Sequence, residues 1–207
     1  MASEVLIVAT GVANLASVRA ALRRLDIRSR TSASPEGIRA AERLVLPGVG
    51  AFGSAMAQLG ERGLTEALIE RLRERRPTLA ICLGMQLLCN TSEESPEARG
   101  LGVLDGGVTR FPAGVRCPQF GWNRVEAPAG ARYLRSGHAY FANSYCLRSA
   151  PKGWRAADTD HGGPFVSAVE SGDVVACQFH PELSARYGAE LLARWCLQRS
   201  SQGAGSC

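Results

Sequence analysis

Residues 78–88 read Thr78-Leu79-Ala80-Ile81-Cys82-Leu83-Gly84-Met85-Gln86-Leu87-Leu88. An apolar, strand-forming run leads directly into Cys82, and a helix-like apolar segment begins after Gly84. A buried strand that ends in a sharp turn and continues as a helix would lift the Cys82 thiol out at the carboxyl end of the strand. The positive end of the helix dipole and a nearby base would both favour the thiolate there. Taken alone, a cysteine in an apolar run is more often a buried structural residue.

A second motif supplies the groups that a cysteine nucleophile needs. Phe179-His180-Pro181-Glu182 follows an apolar run over residues 174–178. His180 would accept the Cys82 proton and later return it to the leaving amine. Glu182 would orient the imidazole and favour its charged form. Because residues i and i+2 of an extended strand lie on one face, the two motifs predict a catalytic triad of Cys82, His180 and Glu182.

The oxyanion of a tetrahedral intermediate requires hydrogen-bond donors. The candidates are the backbone N–H of Leu83, at the start of the helix, and an N–H from Gly50, in a glycine-rich loop over residues 48–53. Glycine permits positive φ angles and allows backbone N–H groups to face a ligand. A plain turn is the commoner explanation of any glycine-rich loop.

The order of elements predicts the fold class. In the first half of the chain, apolar strands alternate with amphipathic helices, as in a doubly wound α/β fold with a mostly parallel sheet flanked by helices. The predicted strands cover residues 5–9, 27–31, 43–47 and 78–82. Ligands bind beside the carboxyl ends of the strands in such sheets, so Gly50 and Cys82 should share one edge.

The second half of the chain has a different sequence pattern. Short aromatic and Gly/Pro-rich runs over residues 100–173 predict mostly antiparallel strands, as a small insertion or edge sheet on the α/β core. Residues 187–198 have the pattern of a closing amphipathic helix. We therefore predict one domain over residues 1–199, followed by a disordered Ser/Gly-rich tail over residues 200–207.

Composition excludes several classes of function. The net charge of +5 comes from scattered arginines, Lys152 being the only lysine, and no basic stripe with interleaved aromatics indicates nucleic-acid binding. The seven cysteines show no C-x-x-C spacing, which favours free thiols in a reducing cytoplasm over disulfides or zinc. No segment has the pattern of a secretory signal or a membrane span. We expect a cytoplasmic protein with no metal and no cofactor.

Three motifs together resemble the triad-bearing class I glutamine amidotransferases. They are Leu46-Pro47-Gly48-Val49-Gly50, Ile81-Cys82-Leu83-Gly84-Met85-Gln86 and Phe179-His180-Pro181-Glu182. The resemblance runs from about residue 5 to residue 198. The branch that looks most similar is the glutaminase subunit of imidazole glycerol phosphate synthase. The residues that carry this resemblance are 11–18, Val49, Met85, 92–94 and 121–123. The chorismate-pathway branches usually have a second proline in the oxyanion loop and histidine at the place of Met85.

This resemblance implies an activity and a set of substrate contacts. Glutamine would be hydrolysed to glutamate and ammonia, and the ammonia would serve histidine biosynthesis. Beyond the contact at Gly50, the glutamine-binding residues implied are Gln86, Glu94, Asn143, Ser144 and Tyr145.

The resemblance also implies a partner. Ammonia would pass to a (β/α)₈-barrel cyclase subunit in a heterodimer, and the glutaminase would stay nearly silent until that partner binds its own ligand. The loop before Gly50 would then rearrange. The interface residues predicted on this basis are Asn14, Trp122, Asn123, Tyr140 and Leu183.

Three residues depart from the family pattern. Ala80 stands where glycine is usual two residues before the nucleophile, Asn143 replaces a histidine near the glutamine site, and Leu183 replaces a frequent basic residue after His-Pro-Glu. The last two affect coupling to a partner more than hydrolysis. Two alternatives therefore stay open: the same glutaminase chemistry serving an amino-sugar or chorismate amination enzyme, and a non-catalytic paralogue that only binds a partner.

Overall fold

The computed structural model describes residues 4–9 and 14–198 of the chain. Its strands are β1 Val5–Val8, β2 Ser29–Ser32, β3 Arg43–Gly48, β4 Thr78–Cys82, β5 Cys89–Ser92, β6 Leu104–Arg110, β7 Gln119–Val125, β8 Gly137–Asn143, β9 Tyr145–Leu147, β10 Arg155–Asp160, β11 Pro164–Ser171 and β12 Val174–Cys177. Its helices are α1 Leu15–Arg23, α2 Pro35–Ala40, α3 Phe52–Glu61, α4 Thr65–Arg73, α5 Leu83–Leu87 and α6 Ala185–Leu197, with a 3₁₀ turn over Pro181–Leu183. The predicted tail over residues 200–207 lies outside the described residues.

Among these elements, ten strands form one sheet in the order β2-β1-β3-β4-β12-β11-β9-β6-β5, with β10 also paired to β11. The strands from β2 to β12 in this order run parallel. Antiparallel pairing begins at β11 and continues through β9 and β6. β7 and β8 form a separate antiparallel ribbon. The predicted doubly wound, mostly parallel sheet with a small antiparallel sheet is confirmed.

The two faces of the parallel strands carry separate apolar cores. Val5 and Ile7 face the side covered by α1 and α6, whereas Leu6 and Val8 face the side covered by α2, α3, α4 and α5. Because both faces are covered, the central strands β1, β3, β4 and β12 are buried at every position instead of alternating, whereas the edge strand β2 is polar. This burial explains why the sequence shows continuous apolar runs here.

The second strand begins two residues later than its predicted start at residue 27. Asp26 has a φ of 56°, and the Ile27 N–H donates to the Leu22 carbonyl at 3.0 Å. This geometry closes the C-terminus of α1, with Ile27 packed back into the core. Ile27 is therefore apolar because it packs into the core at the C-terminus of α1, and β2 starts only at Ser29.

Proline does not stop the third strand, which continues one residue beyond its predicted end at residue 47. The Leu44 N–H points toward β4, where it donates to the Pro77 carbonyl, so the missing N–H of Pro47 would point toward β1. Pairing with β1 ends at Val45. Because no ladder bond is lost at Pro47, β3 continues to Gly48 beside Cys82.

One buried arginine connects the entrances of two central strands. Arg71 of α4 is 1% exposed. Its guanidinium donates to the carbonyls of Ile38, Ala41, Glu42 and Pro77 and to the hydroxyl of Thr78. Burial lowers the pKa of Arg71 from its ordinary value to about 10. The acceptors compensate the buried charge and hold the starts of β3 and β4 together.

The six cysteines within the described residues are free thiols. None of the helices in that part of the chain is both long and apolar enough to cross a membrane.

Candidate active site

Cys82 occupies a strained turn between β4 and α5. Its φ is 53° and its ψ is −112°, a conformation that costs a non-glycine residue roughly 1–3 kcal/mol. The turn is held by close packing, since a Cβ on Gly84 would lie only 2.1 Å from the Leu46 carbonyl oxygen. The predicted strand–turn–helix geometry is therefore present around Cys82, which is 7% exposed.

His180 and Glu182 follow β12, the neighbour of β4. The His180 Nδ1 lies 2.9 Å from the Glu182 Oε1, and both residues are more than nine-tenths buried. With Nδ1 donating to the carboxylate, Nε2 is the ring nitrogen left for the thiol. The backbone of His180 is fixed as well, because its N–H donates to the Tyr140 carbonyl and its carbonyl accepts from the Ser184 hydroxyl.

The turn that carries Glu182 is pinned from outside by α6. A Cβ on Gly188 would lie 1.9 Å from the Pro181 carbonyl oxygen, so only glycine allows this approach. The second carboxylate oxygen of Glu182, Oε2, is buried and has no hydrogen-bond partner among the described residues. The carboxylate thus makes its defined contact with His180 alone.

The pKa of His180 reflects two opposing effects. Burial alone would lower it, but hydrogen bonds to Cys82 and Glu182 outweigh burial and raise the pKa to about 10. An imidazolium held between a sulfur and a carboxylate is the charge arrangement that nucleophilic cysteine chemistry uses. The geometry therefore supports proton transfer between Cys82 and His180.

A chain of side-chain amides lies behind the sulfur. The Gln178 Nε2 donates to the Cys82 Sγ at 3.6 Å, and the Gln178 Oε1 accepts from the Gln86 Nε2 at 2.9 Å. Gln86 also donates to the Tyr145 carbonyl at 3.1 Å. Sequence reasoning predicted a role for Gln86 but none for Gln178. The available signal was its position two residues before His180, on the same side of an extended chain.

A cavity of about 370 Å³ opens in front of the sulfur. Cys82 and His180 both line it, while Glu182 lies behind the imidazole. The cavity also contains the predicted oxyanion and substrate residues Gly50, Leu83, Gln86, Glu94, Asn143, Ser144 and Tyr145. The structure thus brings these residues into one site, and their individual roles remain predictions.

Besides Gln86, two more of these residues have side chains with defined partners within the chain. The Glu94 Oε2 accepts from the backbone N–H of Phe52 at 2.7 Å, at the start of α3. The Asn143 Nδ2 donates to the Tyr145 carbonyl at 3.0 Å, whereas its Oδ1 is buried with no partner among the described residues. Asn143 therefore lines the cavity with its amide held to the chain through Nδ2.

The predicted interface residues fall in two groups. Tyr140 and Leu183 line the cavity, and Trp122 lies beside Tyr140 with ring centroids 6.1 Å apart. Asn14 instead accepts from the Ser17 N–H as the cap of α1, and Asn123 donates to the Asp160 carbonyl. The structure therefore places Tyr140, Leu183 and Trp122 near the mouth of the cavity. The side chains of the other two residues make local contacts that stabilise the fold.

Sequence reasoning missed Phe120 as part of this surface. Phe120 is 69% exposed, and its ring lies 5.8 Å from that of Tyr140. We define the aromatic patch as Phe120, Trp122 and Tyr140. Alternation along β7 could have indicated it, because residues 120 and 122 share a face and both are aromatic.

The model of the class I glutamine amidotransferase family matches residues 8–198. The chain belongs to this family. Among curated proteins it is similar to "Imidazole glycerol phosphate synthase subunit HisH" of Symbiobacterium thermophilum, with 43% identity over 93% of each chain. This chain is also 41% identical, over 89% of its own length, to "Imidazole glycerol phosphate synthase hisHF, chloroplastic" of Arabidopsis thaliana. The match covers 32% of that longer protein. The resemblance inferred from the three motifs is confirmed.

Solved structures agree on the fold. A protein described as "Crystal structure of glutamine amidotransferase" superposes with a TM-score of 0.74 at 24% identity, covering 92% of this chain and 96% of its own. At that identity the likeness concerns the fold alone. It agrees with the doubly wound architecture described above.

Proposed function

We propose that this protein is the glutaminase subunit of an imidazole glycerol phosphate synthase, and that it hydrolyses glutamine through Cys82, His180 and Glu182. Two kinds of observation support the assignment. The relatives of similar length carry the HisH name at about 40% identity, and a buried imidazole paired to a carboxylate shares a cavity with the cysteine at the strained turn. The shared cavity of Cys82 and the carboxylate-paired His180 is the single structural observation on which the chemistry depends.

The reaction follows from the positions of these groups. The Cys82 sulfur attacks the side-chain amide carbon of glutamine, and N–H groups of Gly50 and Leu83 receive the oxyanion. His180 gives its proton to the leaving nitrogen, so ammonia departs and a thioester remains. His180 then takes a proton from water, which attacks the thioester and releases glutamate and the Cys82 thiolate. Glu182 holds the imidazole throughout.

The proposed partner is a (β/α)₈-barrel cyclase subunit that receives the ammonia. The relatives are named as subunits of a synthase, and the Arabidopsis relative joins the matching region to further chain under the name hisHF. The aromatic patch and the half-exposed Leu183 and Val49 surround the cavity on this side. Exposed aromatic side chains beside a reaction cavity are suited to docking. We further propose a cytoplasmic location, in keeping with the free thiols.

The test is ammonia release from glutamine by the purified chain, measured with and without the cyclase subunit. We expect release to rise strongly when the partner and its ligand are present, and Cys82→Ala to abolish it. Free ammonium should still support synthesis by the complex of partner and Cys82→Ala, because the cyclisation takes place in the other subunit. Cys196→Ala, which removes a buried thiol of α6, is the matched control and should retain glutaminase activity.

High glutamine turnover by the isolated chain, with no response to the cyclase, would favour a different acceptor enzyme. Turnover that survives in Cys82→Ala would contradict the proposed nucleophile. Absence of turnover together with binding to the cyclase would favour the non-catalytic paralogue.

A further inference from the structure

Gln178 lies directly behind the nucleophile and is 1% exposed. Its amide contacts two residues of the site, donating to the Cys82 sulfur at 3.6 Å and accepting from the Gln86 amide at 2.9 Å. We propose that Gln178 is a positioning residue for glutamine hydrolysis, which holds the sulfur in place through a hydrogen bond and fixes the orientation of the amide that recognises the substrate. This proposal rests on the proposed glutaminase function.

The direction of this amide chain is set by a backbone carbonyl. The Tyr145 oxygen cannot donate, so Gln86 must present its NH₂ group there. The second N–H of the same group then donates to the Gln178 Oε1, which leaves the Gln178 NH₂ group facing Cys82. Asn143 also donates to the Tyr145 carbonyl and reinforces its role as the terminal acceptor.

This arrangement has two consequences for the reaction. A thiolate is a much stronger hydrogen-bond acceptor than a thioester, so the Gln178 donor stabilises the sulfur before it attacks and again when it leaves the thioester. In addition, both N–H bonds of Gln86 are used within the protein. Its oxygen is therefore free to accept a hydrogen bond from glutamine in the cavity that Gln86 lines.

Two substitutions separate these effects. Gln178→Met removes both the donor to sulfur and the acceptor for Gln86, without adding a charge. Gln178→Glu keeps an acceptor for Gln86 and, when ionised, loses the donor. Ser167→Ala is the matched control, because the Ser167 carbonyl accepts from the Gln178 N–H while its hydroxyl donates to the Ala157 carbonyl. That control perturbs β11, the strand to which the Gln178 backbone is hydrogen-bonded, and it leaves the side-chain amide of Gln178 intact.

The first readout is alkylation of Cys82 by iodoacetamide in the full chain, followed across pH on the Cys82 peptide by mass spectrometry. It does not require glutamine turnover. At pH 7 we expect alkylation in Gln178→Met and Gln178→Glu to be slower by roughly tenfold or more, the effect of losing a hydrogen bond to a charged group. The half-buried Cys117 in the same samples serves as the internal reference.

The second readout is glutamine hydrolysis in the complex with the cyclase. Gln178→Met should raise the KM for glutamine by roughly tenfold and also lower kcat, since Gln86 loses a partner that orients it. Gln178→Glu should lower kcat while its KM stays near that of the unmodified protein. Ser167→Ala should match the unmodified protein in both readouts.

Unchanged Cys82 alkylation in Gln178→Met would overturn the proposal, even if Gln178→Glu is slowed, because the added charge alone would then explain the latter. If the unmodified chain alkylates at Cys82 but never hydrolyses glutamine, the glutaminase function fails while the contact to sulfur stands. Should either variant fail to fold, the side-chain amide NMR signals of Gln178 in the unmodified protein decide. They should shift when Cys82 is alkylated, and unshifted signals would contradict the contact.

Discussion

Glu94 accepts a 2.7 Å hydrogen bond from the backbone N–H of Phe52, the first residue of α3. Gly50, the proposed oxyanion donor, lies only two residues before that helix. Glu94 also lines the cavity. A single carboxylate therefore connects the surface that would bind glutamine to the loop that would stabilise the transition state.

Glu94→Ala should reduce both binding and catalysis. Removal of the side chain takes away a cap of α3, which costs about 1 kcal/mol of stability, and it frees the loop that carries Gly50. We expect kcat/KM for glutamine to fall at least roughly tenfold, with kcat itself lowered. Steady-state kinetics of the complex with the cyclase measures this.

Ser95→Ala is the control for Glu94→Ala. The Ser95 hydroxyl accepts from the Gly53 N–H at 3.0 Å and caps the same helix, yet Ser95 does not line the cavity. It should lower the unfolding temperature to a similar degree while kcat/KM stays near that of the unmodified protein. An equal loss of activity in both variants would indicate that helix stability, and not the Glu94 carboxylate, matters.

Cys82→Gly should be more stable than Cys82→Ala. At φ 53° and ψ −112° an alanine retains the backbone strain, about 1–3 kcal/mol, whereas glycine is released from it. The greater chain entropy of unfolded glycine offsets only about 0.5–1 kcal/mol of this gain. Thermal unfolding of the two variants measures the difference, and a lower transition temperature for the glycine variant would refute strain at this turn.

The pKa of His180 should fall in Cys82→Ala. Burial lowers this pKa and the contacts with Cys82 and Glu182 raise it, so removing the sulfur leaves burial opposed by Glu182 alone. The imidazolium, which in the unmodified protein persists to a pH of about 10, should then lose its proton at a lower pH. NMR titration of the imidazole C–H signals follows the change. Cys196→Ala, far from the imidazole on α6, should leave the titration of His180 where it was.

Trp122→Ala should weaken binding to the cyclase. Trp122 is 55% exposed and stacks edge-on against Tyr140, so it offers a rigid aromatic surface for a partner. We expect Kd to rise by roughly tenfold or more, as for a central interface aromatic. Isothermal titration calorimetry with Leu197→Ala as reference tests this, because Leu197 is 66% exposed at the distant end of α6. Equal affinities for the two variants would move the interface away from the aromatic patch.

The strands that sequence analysis could predict are those buried on both faces. Val5–Val8 and Val174–Cys177 are fully buried, and their apolar runs are visible without any alignment. β5 was missed because Asn90 and Thr91 are exposed or half-buried there and no apolar run marks it. β6 contains two adjacent glycines, Gly106 and Gly107, which by local preference indicate a turn. β5 pairs with β6, and β6 pairs also with β9, so in both cases sheet pairing overrides local propensity.

The candidate site shows a similar division. Cys82 and His180 could be predicted because each follows a recognisable strand and each carries reactive chemistry. Gln178 was missed, although it lies two residues before His180, because its two partners lie 92 and 96 residues away along the chain and an uncharged amide does not by itself indicate catalysis. Sequence analysis likewise missed that Asn14 caps α1, because it assigned Asn14 to an interface.

The contact between Gly188 and the Pro181 carbonyl bears on how this enzyme can be altered. Any added methyl group there must displace the segment that bears Glu182, although Gly188 itself belongs to an outer helix that glutamine does not reach. Random mutagenesis screened for lost turnover will therefore recover lesions on the back of the molecule as well as in the pocket. Engineering of the C-terminal helix, for fusion or immobilisation, should leave Gly188 untouched.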